Sequence, residues 1–129
     1  MTKINIPFDC GNAPKKLLLK EFYEAIINGN VSLITMTVSD KIYWEIVGEK
    51  IIYGKEQFLK NIVQHKLWNA KELTIDKIIT HGSEATMNGL MVTEKDIKYS
   101  FCDIIKFNSA GSTIINSIKT YQIKISNLT

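Results

Sequence analysis

The period of the apolar positions changes half-way along the chain. From Ala13-Pro14 onward Leu18, Phe22, Ala25 and Ile26 recur at spacings of four, three and one, which lays one apolar stripe along a helix. Gly29 closes that helix as its C′ residue, and Asn30 can cap a second, shorter one from Val31 to about Val38. Ser39-Asp40 then breaks the pattern. Lys41 to Val47 alternates and is rich in β-branched and aromatic residues, Gly48-Glu49-Lys50 turns, and Ile51-Ile52-Tyr53 makes a short extended piece ending at Gly54. Phe58, Leu59, Ile62 and Val63 share the stripe of a third helix from Lys55 to about Leu67.

Beyond that point the pattern is one of long strands: Glu72 to Thr80, Glu84 to Thr93, Ile97 to Phe107 and Ser112 to Ile125. His81-Gly82-Ser83, Glu94-Lys95-Asp96 and Asn108-Ser109-Ala110-Gly111 supply the turns. Asn88-Gly89 is a hairpin dipeptide inside the second strand, but a turn there would leave two very short pieces, so the strand is read as uninterrupted. Helices followed by a meander of antiparallel strands predict an α+β domain with helices on one face of a curved sheet. Residues 1–129 are read as one domain, with 1–12 as an N-terminal extension.

Composition narrows the function classes. No apolar run is long enough to span a bilayer, and the start, Met1 to Pro7, lacks the apolar core and cleavage site of an export signal, so a cytoplasmic protein without membrane partners is expected. Cys10 and Cys102 are then read as reduced thiols. All 16 basic residues are Lys, scattered along the chain, and the net charge is only +3, so no nucleic-acid partner is expected. The sequons at Asn30 and Asn127 are read as chance matches. His65 and His81 have no partner at metal-ligand spacing and are read as solvated or locally bonded. The sequence carries no phosphate loop, nucleophile elbow or dinucleotide fingerprint; no metal or cofactor is expected.

One residue breaks the apolar logic. Asp103 sits in the middle of Tyr99 to Phe107, on a strand face shared with Phe101 and Ile105, while Cys102, Ile104 and Lys106 take the other. Burying an unpaired carboxylate costs roughly several kcal/mol, so a residue placed this way is neutral, paired or functional.

The order of elements, with Phe22 to Asn30, Trp44-Glu45-Ile46-Val47-Gly48 followed by Gly54, and Cys102 to Phe107 followed by Gly111, resembles the nuclear-transport-factor-2-like superfamily in its SnoaL-like and ketosteroid-isomerase-like branch. The resemblance covers about Pro14 to Ile125. It implies a cone-shaped, strongly curved sheet that encloses an apolar pocket with three helices, and a homodimer formed through the outer sheet face. Asp103 would then face the pocket, joined by Met87, Gly89 and Met91 from one neighbouring strand and by Asn116, Ile118 and Thr120 from the other. Phe101 and Ile105 would flank it, and Trp44, Phe58 and Ile62 would complete a site for a small apolar or aromatic molecule.

Carrying over the isomerase pattern puts the helix-one tyrosine on Tyr23, the general base on Glu45 and the protonated oxyanion-hole acid on Asp103. Such a site would move a proton next to a carbonyl, one carboxylate taking it while a tyrosine and a carboxylic acid kept neutral stabilise the enolate oxygen. Glu45 reaches the base position only with a two-residue slip, which keeps its strand face; a one-residue bulge would turn Trp44 into the pocket and Glu45 out. Three readings follow: a small-molecule binder, a ketosteroid-isomerase-like enzyme using Tyr23, Glu45 and Asp103, and a dimeric interaction module with a vestigial pocket. The enzyme needs all three oxygens in one cavity. The interaction module predicts a collapsed cavity.

Overall fold

A computed structural model describes residues 3–6, 14–65, 67, 68 and 70–125. The first strand, β1 (Lys3–Asn5), lies inside the expected extension and pairs in parallel with Glu72 to Thr74. Cys10, Ala13 and Asn127 fall outside the described residues.

Helix α1 (Pro14–Asn28) opens on a proline, tolerated there because the N–H it lacks would have had no partner within the helix. Its buried stripe is Leu19, Phe22, Tyr23, Ala25, Ile26 and Ile27. Gly29, at φ 72°, ends it, and the Asn30 N–H donates back to the Ala25 carbonyl at 2.8 Å, a Schellman closure. The Asn30 side chain in turn accepts from the Leu33 N–H at 3.2 Å and so starts α2 (Val31–Thr37). Val38 is already extended, and β2 (Val38–Ile46) runs on through Ser39-Asp40, three residues earlier than the pattern predicts.

After β3 (Lys50–Tyr53), helix α3 (Lys55–Ile62) ends five residues short of Leu67. Its end has a local cause. The Leu67 N–H donates to His65 Nδ1 at 3.2 Å, and the His65 and Trp68 N–H groups bond three residues back, at 3.1 and 3.0 Å. A side chain that takes a backbone donor competes with helix continuation. Four long strands complete the chain: β4 (Glu72–His81), β5 (Glu84–Val92), β6 (Lys98–Phe107) and β7 (Ile115–Ile125).

The sheet has seven strands in the order β1-β4-β5-β6-β7-β2-β3, antiparallel except where β1 meets β4 and β2 meets β7. Asn88-Gly89 does not turn. Gly89 lies opposite a register shift between Ile75 and Lys77, and a Cβ on it would collide with the Thr74 carbonyl oxygen. The glycine thus serves close backbone approach at a bulge, where the sheet bends. The inner face, with Ile42, Trp44, Leu73, Ile75, Met87, Met91, Ile105 and Ile118, packs with the apolar stripes of the helices into one core. Among the described residues no helix is long and apolar enough to cross a membrane.

Candidate functional site

Strand parity sets Asp103 on the inner face of β6, only 5% exposed, beside buried Phe101, Ile105 and Phe107. The buried stripe of α1 brings Tyr23 over it, and the Tyr23 hydroxyl donates to Asp103 Oδ2. On the other side, Thr120 of β7 stands in register with Asp103. Its Oγ1 accepts from Trp44 Nε1–H at 2.9 Å, which ties β2 into the same cluster. Asp103 Oδ1 has no hydrogen-bond partner among the described residues.

Two small cavities meet at this carboxyl. One, of about 20 Å³, is walled by Tyr23, Trp44, Phe58, Ile62, Asp103, Ile118 and Thr120 together with Phe22, Ile26, His65 and Leu67. The second, of about 10 Å³, lies between His65, Leu67, Met91, Phe101, Asp103, Thr120 and Gln122. Each has space on the scale of a single water. A ring-sized ligand therefore does not fit unless lining side chains move; Trp44 packs on Phe58 at 5.3 Å and on His65 at 5.0 Å between ring centroids.

Electrostatics make the carboxyl a near-neutral titrating group. Burial pushes its pKa up to about 6, while the Tyr23 hydroxyl and, next, the Thr120 hydroxyl pull the other way by stabilising the anion. Tyr23 is raised well above its ordinary value, first by burial and then by the Asp103 charge, so it stays a neutral donor. An acid of this strength can hold or release a proton near neutrality.

Glu45 stands elsewhere. Ile42, Trp44 and Ile46 turn inward on β2, so Glu45 faces out with exposed Tyr43, paired in register with Ile51 and Lys119. Alternation along β2 keeps Trp44 inside with Val38, Ile42 and Ile46, the orientation opposite to the one that the two-residue slip requires. The three oxygens expected for proton transfer do not share one cavity. Nor do Tyr23 and Asp103 form a pair of free donors, because the tyrosine proton is directed at the carboxyl itself.

Other expected lining residues also lie off the cavities. Gly89 sits at the β4–β5 bulge, Ile105 is packed in the core, Met87 stands across from Asp103 without reaching either cavity, and Asn116 accepts from the Ser39 hydroxyl at 3.1 Å. His65 and Gln122 were not expected. Phe58, Ile62 and His65 are spaced by four and three, a signal that continues the α3 stripe past the helix end to His65. Gln122 follows Ile118 and Thr120 at strand period. Among the described residues no cluster of His, Cys, Asp and Glu is arranged to hold a metal ion.

No protein-family model matches the sequence, and no curated protein matches it. Solved structures do match in fold. An NTF-2 like protein of unknown function from Burkholderia xenovorans LB400 superposes with a TM-score of 0.75 at 10% identity, covering 89% of this chain and 87% of that one. A candidate ketosteroid isomerase from Kribbella flavida DSM 17836 gives 0.73 at 8% identity over 89% and 82%. A candidate SnoaL-like polyketide cyclase from Shewanella denitrificans OS-217 gives 0.70 at 12% identity over 86% and 92%. The chain thus has the curved α+β fold of NTF2-like, ketosteroid-isomerase-like and SnoaL-like proteins.

Proposed function

We propose that the inner cavity is a binding site for a small, mainly apolar molecule that presents one polar group to Asp103. The observation that carries this reading is the Asp103 carboxyl itself, buried, partnered at one oxygen by Tyr23 and, among the described residues, without a hydrogen-bond partner at the other. A position under pressure only for stability would hold an apolar residue or a fully bonded one, because an unsatisfied buried polar atom costs about 1–3 kcal/mol. Binding requires His65 and Trp44 to swing aside, so ligands of a few heavy atoms bind first and larger rings bind with an opening cost. With Glu45 outside, the reading is of recognition and proton exchange at Asp103, and the isomerase scheme is set aside.

The test is a titration of ¹⁵N-labelled protein with small alcohols, ketones, amines and acids, read at the Trp44 indole N–H. Saturable shifts there and at the Asp103 and Thr120 amides are expected with at least one class. Shifts confined to exposed residues with every class would contradict the reading.

We further propose that the outer sheet face pairs two copies of the chain. It exposes Ile79 on β4, Ile104 on β6, and Tyr121 and Ile123 on β7, at 56%, 43%, 40% and 69%. Clustered apolar exposure of this kind marks interaction surfaces.

A further inference from the structure

Polar atoms of both kinds converge on the second cavity. Asp103 Oδ1 and Gln122 Oε1 are buried acceptors with no hydrogen-bond partner among the described residues. Gln122 is oriented from its other end, where Nε2 donates to Glu49 Oε1 at 3.4 Å, so its carbonyl oxygen is the end left for the interior. His65 brings a donor to the same wall. Its Nδ1 accepts the Leu67 N–H at 3.2 Å, so in the neutral imidazole the proton sits on the buried Nε2. The Thr120 hydroxyl accepts from Trp44 Nε1–H at 2.9 Å and turns its own proton toward the Asp103 carboxyl, which has lone pairs for both it and a further donor. Met91, Phe101 and Leu67 close the rest of the wall.

Two acceptors and one donor around about 10 Å³ match a single water in size and in valence. A water has two protons for the two oxygens and a lone pair for the imidazole N–H, the three bonds typical of a buried water. Leaving two buried acceptors unmet costs more than immobilising one water. A water also turns, so it donates to the carboxylate and accepts from the protonated acid. We propose that the cavity between His65, Asp103 and Gln122 is a hydration site built into the fold, holding one water that donates to Asp103 Oδ1 and Gln122 Oε1 and accepts from His65 Nε2–H. One such water satisfies Oδ1 without returning the carboxyl to bulk solvent, so the effect of burial on the carboxyl persists. The inference stands apart from the ligand reading: the water is held without any ligand, and a small molecule whose polar group reaches Oδ1 takes its place.

The test is water–protein cross-relaxation on the full chain with no ligand added, read at the Met91 and Leu67 methyl groups. Cross-peaks to the water line are expected at both, with the sign of a water that tumbles with the protein. Because hydroxyl protons can relay such peaks, ¹⁷O relaxation dispersion, which sees water oxygen alone, counts the long-lived waters. Asp103→Leu, which puts an apolar group in place of the carboxyl, is expected to abolish the cross-peaks and to lower that count by one; Asp103→Asn, which keeps an oxygen acceptor, is expected to retain both. Should Asp103→Leu not fold, Gln122→Met carries the comparison, the loss of one acceptor weakening the cross-peaks several-fold. No cross-peak at either methyl group in the wild type, an ¹⁷O count equal in wild type and Asp103→Leu, or cross-peaks undiminished in Gln122→Met would overturn the hydration site. Failure of every added compound to shift the Trp44 indole N–H would overturn the ligand reading and leave the water in place.

Discussion

At the scale of the residue, Asp103 trades stability for a free oxygen. Its pKa is about 6 in the fold against an ordinary 3.8, so the folded state favours the protonated acid. The sign follows directly: the associated stability is complete below about pH 4 and is lost as pH rises through 6. The loss is on the order of 3 kcal/mol, from 1.36 kcal/mol per unit. Asp103→Asn has no proton to lose. Relative to wild type its unfolding free energy should rise between pH 4 and 7 by that order, measured by urea denaturation at both pH values; a difference that stays flat would show that the carboxyl is solvated. The inward direction of Asp103 and its neighbours Phe101 and Thr120 is legible in the sequence, because period two fixes a strand face wherever the strand is regular. The outward face of Glu45 is legible in the same way, from the alternation of Ile42, Trp44 and Ile46; it was misplaced only by matching it to the base of the isomerase pattern.

At the scale of the element, the sheet is bent at points marked by small residues and shifted registers. Gly89 faces the Ile75–Lys77 bulge with no room for a side chain, and the atom in the way is backbone, which cannot step aside. Gly89→Ala should therefore destabilise the protein by about 2 kcal/mol or more, in the range of forced overpacking. Gly82→Ala serves as the contrast: it sits at φ 60° with open space around it and should cost about 1 kcal/mol. Equal losses in the two variants would place the bend elsewhere. Asn88-Gly89 shows how local turn chemistry is overridden when flanking strands are long enough to pair through it, as β5 does with both β4 and β6. The helices α1 and α2 were legible to within a residue because their caps are encoded locally, in Pro14, Gly29 and Asn30. The end of α3 depends on the His65 ring taking the Leu67 N–H, a competition that hydrophobic spacing does not reveal. Strand β1 was missed because three residues at a sheet edge carry no period.

At the scale of the whole molecule, one sheet serves two faces of different character. The inner face meets the helices around Asp103, and the outer face presents Ile79, Ile104, Tyr121 and Ile123. If the outer face pairs two copies, Ile123→Lys with Ile79→Lys should shift the chain from dimer to monomer in sedimentation equilibrium while leaving the Trp44 resonance in place. A wild-type chain that is monomeric at high micromolar concentration would contradict the pairing. The faces were legible as two buried or semi-buried surfaces, since the strands are apolar on both sides; the near closure of the inner cavity was not, because it follows from how Trp44, Phe58 and His65 stack.

The most direct test of the site is the titration of the Asp103 side-chain carboxyl, followed by its ¹³C resonance from pH 3.5 to 8. The account predicts a midpoint near 6 in the free protein, raised by burial, and a shift of that midpoint when a small molecule binds in the inner cavity. A midpoint at the ordinary aspartate value, unmoved by any small molecule that binds, would contradict it.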